Sequence, residues 1–160
     1  MTSREGLLGI VALLATLTGC ASEATSDEVT DTTADANLPR DAEGQRADLP
    51  SAFFGLDNAL PALAYLICTG PPDKDGMPVI FSTEINHTTM QAGDFQVTTR
   101  SGKKGTVHCV SLLPATDAGE LRTVLLVGEF GDEGEDPPAS VEIIGHVGSI
   151  DGKLDFSGAS

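Results

Sequence analysis

The chain has 160 residues, with 24 acids against 9 bases, a net charge of −15, and 40% hydrophobic residues that include six Phe, one Tyr and no Trp. That is room for one domain with an aliphatic core plus accessory segments. The charge excludes nucleic-acid binding, which needs clustered Lys and Arg to displace counterions, and it gives no pull toward anionic headgroups.

Residues 6–18 are almost wholly apolar, from Leu7 to Leu17. The run is shorter than the roughly 20 residues that span a bilayer, and it fits the hydrophobic region of a signal peptide. It ends in Leu17-Thr18-Gly19-Cys20. This tetrapeptide resembles the lipobox of bacterial lipoproteins: a branched apolar residue, two small residues, then cysteine. The resemblance implies a signal peptide over 1–19, cleavage before Cys20, and lipid on its thiol. One acyl chain binds a membrane only marginally, and lipoproteins carry two or three. By resemblance to Gram-negative lipoproteins, Ala21 in place of Asp implies the outer membrane of the cell envelope. One departure is Glu5, which offsets Arg4 ahead of the apolar run.

Residues 20–50 are expected to be the lipidated N-terminus and a disordered acidic linker. The segment is rich in Ala, Ser, Thr and Asp, has no aromatic residue, and over 21–50 sets eight acids against Arg40 and Arg46. So little apolar surface cannot offset the entropy of ordering.

Residues 51–160 are expected to form the domain, with fifteen acids against six bases. A helical turn is possible over 51–60. Strand-type runs follow at 62–68, 77–82, 95–100, 106–113, 121–130, 141–147 and 154–156, separated by turn signals. Phe95, Val97 and Thr99 alternate with Gln96, Thr98 and Arg100. The run 121–130 is the longest and suits a central strand. No long stretch has the 3.6-residue period of an amphipathic helix. The predicted fold is all-β: an immunoglobulin-like β-sandwich, with a small β-barrel as the alternative.

Val79-Ile80-Phe81-Ser82-Thr83-Glu84-Ile85, then Asp94-Phe95-Gln96-Val97 and Ser101-Gly102, resemble the SbsA-type bacterial Ig-like domain of S-layer and cell-surface proteins. Val141-Glu142-Ile143 with Asp151-Gly152 resembles its closing segment. The residues of 121–145 are also similar to a group of uncharacterised bacterial secreted proteins. Both resemblances imply a non-catalytic module outside the cytoplasm. The chain ends within about five residues of its last predicted strand, so the closing strand is expected to be missing or very short.

Export to an oxidising compartment leaves Cys68 and Cys109 as the remaining thiols once Cys20 is lipidated, and predicts a disulfide between them. A loop of about 40 residues closed this way stabilises by roughly 4 kcal/mol in the chain-entropy model.

Residues able to carry chemistry are few. His87, His108 and His146 have no metal-ligand spacing. Ser82, Ser101, Ser111 and Ser140 lie in no Gly-x-Ser-x-Gly context, and phosphate-cradling Gly motifs are absent. Asn86-His87-Thr88 matches a glycosylation sequon. Asp75-Gly76 reads as a plain turn. The acidic loop offers Glu129, Asp132, Glu133, Glu135 and Asp136 as candidate calcium ligands, since a hard cation wants six to eight oxygens. The expectation is a non-enzymatic lipoprotein, held to the membrane through Cys20. It would display a binding, adhesion or structural module to a partner in the envelope, with no nucleic acid bound. The alternative is a small ligand- or calcium-binding envelope protein using the loop 129–136.

Overall fold

A computed structural model of the chain describes residues 38–61, 68 and 73–160. The expected signal peptide, Cys20 and most of the linker lie outside the described residues, as do residues 62–67 of the first expected strand.

Six strands form among the described residues: β1 (Ser51–Ala52), β2 (Asp75–Ile80), β3 (Phe95–Thr99), β4 (Thr106–Ser111), β5 (Thr123–Glu129) and β6 (Pro138–Ile143). One 3-10 turn, Ala92–Asp94, leads into β3 and is the only helical element among the described residues. All pairings are antiparallel: one sheet in the order β1-β2-β5-β4, and a second made of β3 and β6. The fold is therefore all-β and sandwich-like, as the turn-separated runs predict. The two sheets stay separate and close no barrel.

The alternation in β3 decides its placement. Phe95, Val97 and Thr99 are buried while Gln96 and Thr98 are not, the two-residue period of a half-buried strand. Across it, β6 buries Val141 and Ile143. From the other sheet come Met77, Val79, Val124, Leu126 and the following residues Phe81 and Phe130. Phe81 meets Phe156 edge-on at 4.9 Å and Phe95 at 6.4 Å. Each fully buried aliphatic or Phe side chain contributes about 1.5–3 kcal/mol of transfer free energy.

The strand β5 is apolar on both faces, and both are used. Val124 and Leu126 enter the main core, while Leu125 and Val127 pack with Leu60, Cys68 and Cys109 in a second cluster. Pro78 sits in β2 without breaking it. Gly76 donates its N–H to Leu56 and the Pro78 carbonyl accepts from Phe53 N, so this side of β2 faces away from β5. The missing proline N–H falls where β1, two residues long, has already ended.

Between β3 and β4 the chain changes sheets. Lys103 and Gly105 still bond back to β3, at 2.8 Å and 2.9 Å, before β4 pairs with β5. Gly102, at φ +87°, makes the turn, a conformation that L side chains rarely adopt.

Three expectations need correction. Residues 38–50, assigned to the linker, are folded: Ala47 is fully buried, Leu38 and Leu49 pack on the core, and Asp48 exchanges hydrogen bonds with Ser82. Three apolar side chains spaced through a polar stretch suffice when a core edge is available to receive them. The helical turn at 51–60 is instead strand β1 and a bridge at Leu56 to Gly76. Asp75-Gly76 is not a turn but the start of β2, because the Asp75 carboxylate accepts backbone donors on both sides, Asn58 N and the buried Phe130 N.

The expected last strand is reduced to a bridge between Gly148 and Asp155. Beyond it the chain returns along the free edge of β6. Ile143 N donates to Ala159 O at 2.9 Å, and Ile143 O accepts from Gly158 N at 2.7 Å. No strand follows β6 among the described residues, and these two bonds stand where a closing strand would.

Candidate functional site

The disulfide forms as the cysteine count predicts. Cys68 and Cys109 are bonded, with Cα atoms 6.1 Å apart and a sequence separation of 41. It ties the segment before β2 to β4, over the second apolar cluster.

The acidic loop does not assemble a cation cage. Glu129, at the end of β5, pairs with Lys74. Asp132 turns its Oδ1 onto its own loop, accepting from Gly134 N at 2.9 Å and Glu135 N at 2.8 Å. Asp136 reaches the end of β3, where Thr99 Oγ1, Ser101 N and Ser101 Oγ surround it at 2.7–2.8 Å. Ser101's hydroxyl and amide, then Thr99's hydroxyl, hold the Asp136 carboxyl below the usual aspartate range despite the cost of burial. Glu133 donates its N–H to Asp57, and the residues Glu133 and Glu135 are exposed. These carboxylates serve as local acceptors that shape the loop. Among the described residues no three of His, Cys, Asp and Glu are placed to hold a metal ion.

The histidines are all exposed. His108 lies where the β4–β5 register shifts. His146 Nδ1 lies 2.8 Å from Asp155 Oδ2. Asp155 also accepts from Ser157 N at 3.0 Å, and its Oδ1 lies 2.8 Å from Ser157 Oγ. Burial pushes the Asp155 carboxyl up, but Ser157's amide and hydroxyl with His146 together leave it lowered. Serine, carboxylate and imidazole are thus present, wired in the wrong order. In a nucleophilic triad the imidazole stands between hydroxyl and carboxylate, to take the hydroxyl proton. Here the carboxylate stands between the other two, and the arrangement closes the C-terminal loop instead.

A groove of about 560 Å³ opens at the end of β4. Ser111 Oγ accepts from Leu113 N at 3.0 Å and ends the strand, leaving Leu113 44% exposed. Met90, Val110, Leu112 and Leu121 complete an aliphatic lining. Ile85 N donates to Leu121 O at 2.9 Å and fixes one wall. Asn86 Oδ1 accepts from Thr88 N and Thr88 Oγ1, forming the turn that carries exposed His87 at the rim. Sequence reasoning treats 106–113 as one strand and so misses this groove. The signal was the pair Leu112-Leu113, where two consecutive leucines cannot both face one core in a strand.

The remaining depressions are smaller, at about 140, 270 and 270 Å³. No helix among the described residues is long and apolar enough to cross a membrane. No protein-family model, no curated protein and no solved structure matches this chain.

Proposed function

We propose that the chain is a lipid-anchored protein of the bacterial cell envelope whose all-β domain is an Ig-like, non-catalytic module for binding, adhesion or support. The observation that carries it is the apolar leader ending in Leu17-Thr18-Gly19-Cys20, joined to a domain whose other two cysteines are bonded to each other. A disulfide between paired cysteines suits an exported domain rather than a cytosolic one.

The strand order supports the Ig-like reading. An Ig constant-type sandwich has strands A, B, E and D in one sheet and C, F and G in the other. In chain order β1 to β6 take the places of A to F, and the segment bonded to Ile143 takes that of G. Two features differ from antibody domains: the disulfide does not join the two sheets, and the sequence has no Trp. Ala21 after the cysteine supports the outer membrane.

Membrane fractionation with mass spectrometry tests the anchor. The wild-type chain is expected in the membrane fraction, starting at a diacylglycerylated Cys20, and the Cys20→Ser variant in the soluble fraction. An unacylated Cys20→Ser chain that still sediments with membranes would sink this reading.

A further inference from the structure

We infer that the groove at the end of β4 is a binding site for a single linear acyl chain, such as that of a fatty acid. The inference rests on the membrane-anchored reading above.

The lining fits that chemistry. Met90, Val110, Leu112, Leu113 and Leu121 are all aliphatic, and no Phe, Tyr or Trp lines the groove. Drug-sized pockets occupy about 300–1,000 Å³ and are mainly apolar with a few polar groups, and this groove has that size and make-up. Its polar lining residues are His87, Ser111 and Thr116, and none is acidic. On a chain of net charge −15 this sets it apart from the two depressions of about 270 Å³. The depression beside Phe130 is lined by Glu129, Asp132, Glu135 and Asp136, and the one beside His146 by Asp155. A carboxylate headgroup would be repelled at both and meets no lining acid here.

The path of the chain selects the occupant. The described N-terminal segment enters at the same end of the sandwich as the groove. Gln45 Nε2 donates to Ser82 O at 3.0 Å, Asp48 bonds Ser82, and Lys153 pairs with Glu43 at 3.3 Å. Three residues beyond Ser82, Ile85 bonds the groove wall at Leu121. Seventeen residues separate Cys20 from Leu38. Fully extended they reach at most about 60 Å. A lipidated Cys20 thus keeps Leu38, the first described residue, within that distance of a bilayer, the main store of acyl chains in the envelope. A second copy of the chain is the poorer occupant, since both partners would carry the same acidic excess.

The test uses the full chain with [methyl-13C]methionine in phosphatidylcholine nanodiscs, titrated with dodecanoate. The sequence has only three methionines. Met90 lines the groove, and Met77, 2% exposed in the core, is the internal reference. The expected result is a saturable shift of the Met90 methyl signal with Met77 unmoved. Leu113→Asp should weaken the apparent affinity at least tenfold, while the Met77 signal reports that the core is intact. The inference is overturned if Met90 stays fixed to millimolar dodecanoate, if Met90 and Met77 move together, or if Leu113→Asp binds as before. The mass of the Cys20 peptide is read from the same sample. A bare Cys20 with a saturable Met90 shift defeats the anchor and keeps the groove; an acylated Cys20 with a fixed Met90 does the reverse.

Discussion

Asp75 gives the sharpest test of how the domain is held together. Its side chain is fully buried, and its two oxygens join segments far apart in sequence: Oδ1 accepts from Asn58 N at 2.9 Å, and Oδ2 from Phe130 N at 2.5 Å. Asp75→Ala removes both acceptors. Asn58 is exposed, so its amide can turn to water, and only the net value of one hydrogen bond is lost, about 0.5–1.5 kcal/mol. Phe130 is fully buried, so its N–H is orphaned at about 1–3 kcal/mol. The expected cost is therefore about 2–4 kcal/mol, a large part of the ~5–15 kcal/mol that a domain has. Asp75→Asn keeps one acceptor oxygen and should lose roughly half as much. Urea unfolding at neutral pH reads both: with a slope of ~1–3 kcal/mol/M, the alanine variant's midpoint should fall by at least about 0.7 M. An alanine variant within ~0.5 kcal/mol of wild type would refute the reasoning, because it would mean that Phe130 N–H finds another partner at no cost.

Three further outcomes follow from the packing. Replacing Cys68 and Cys109 by Ser, or reducing the bond, should cost about 4 kcal/mol for a loop of this length. Without reductant neither thiol of the native protein should alkylate, and ready alkylation of both would contradict the bond. Gly128→Ala should destabilise by about 1–3 kcal/mol in the same urea assay, since a Cβ there runs into the Thr106 carbonyl of β4 and the Phe130 ring; an unchanged midpoint would show that β4 gives way freely. Asp136 has a lowered carboxyl pKa, so its stabilisation is present above the ordinary aspartate range and is lost as pH falls from about 4 through the lowered value. Thermal melts from pH 6 to pH 2 should show the gap between wild type and Asp136→Asn closing on the acid side, and a gap of constant width would remove the Thr99–Ser101 cradle as its cause.

What could be read from the sequence followed from local periodicity. Phe95, Val97 and Thr99 declare β3 because three of five consecutive side chains must share a face, and the long run around Val124 to Val127 declares a strand covered on both sides. The pairing of Cys68 with Cys109 followed from counting. The misses are places where a remote partner decides. Asp75 looks like turn chemistry until Phe130, 55 residues away, supplies a buried donor. Ala47 and Leu49 look like linker because they are few, yet the main core has room for them. The five loop acids look like a cation site because spacing says nothing about direction. Asp136 turns to Ser101 on β3, Glu129 turns to Lys74, and Asp132 folds back on its own amides.

The second apolar cluster shows why the disulfide is placed where it is. In an antiparallel sheet with one wet face, β5 would alternate apolar and polar residues. Instead Leu125 and Val127 are both apolar on the face turned away from the main core. Something must cover them, and the cover is the segment before β2, through Leu60 and Cys68. Gly76 lets that segment approach, since a Cβ there would press on Leu56 and Leu60. So small a cluster buries too little surface to hold a loop by itself. The bond to Cys109 supplies the constraint that packing lacks. The disulfide and the sequence of β5 are thus one requirement: a strand apolar on both faces is tolerable here because the covering segment is covalently held.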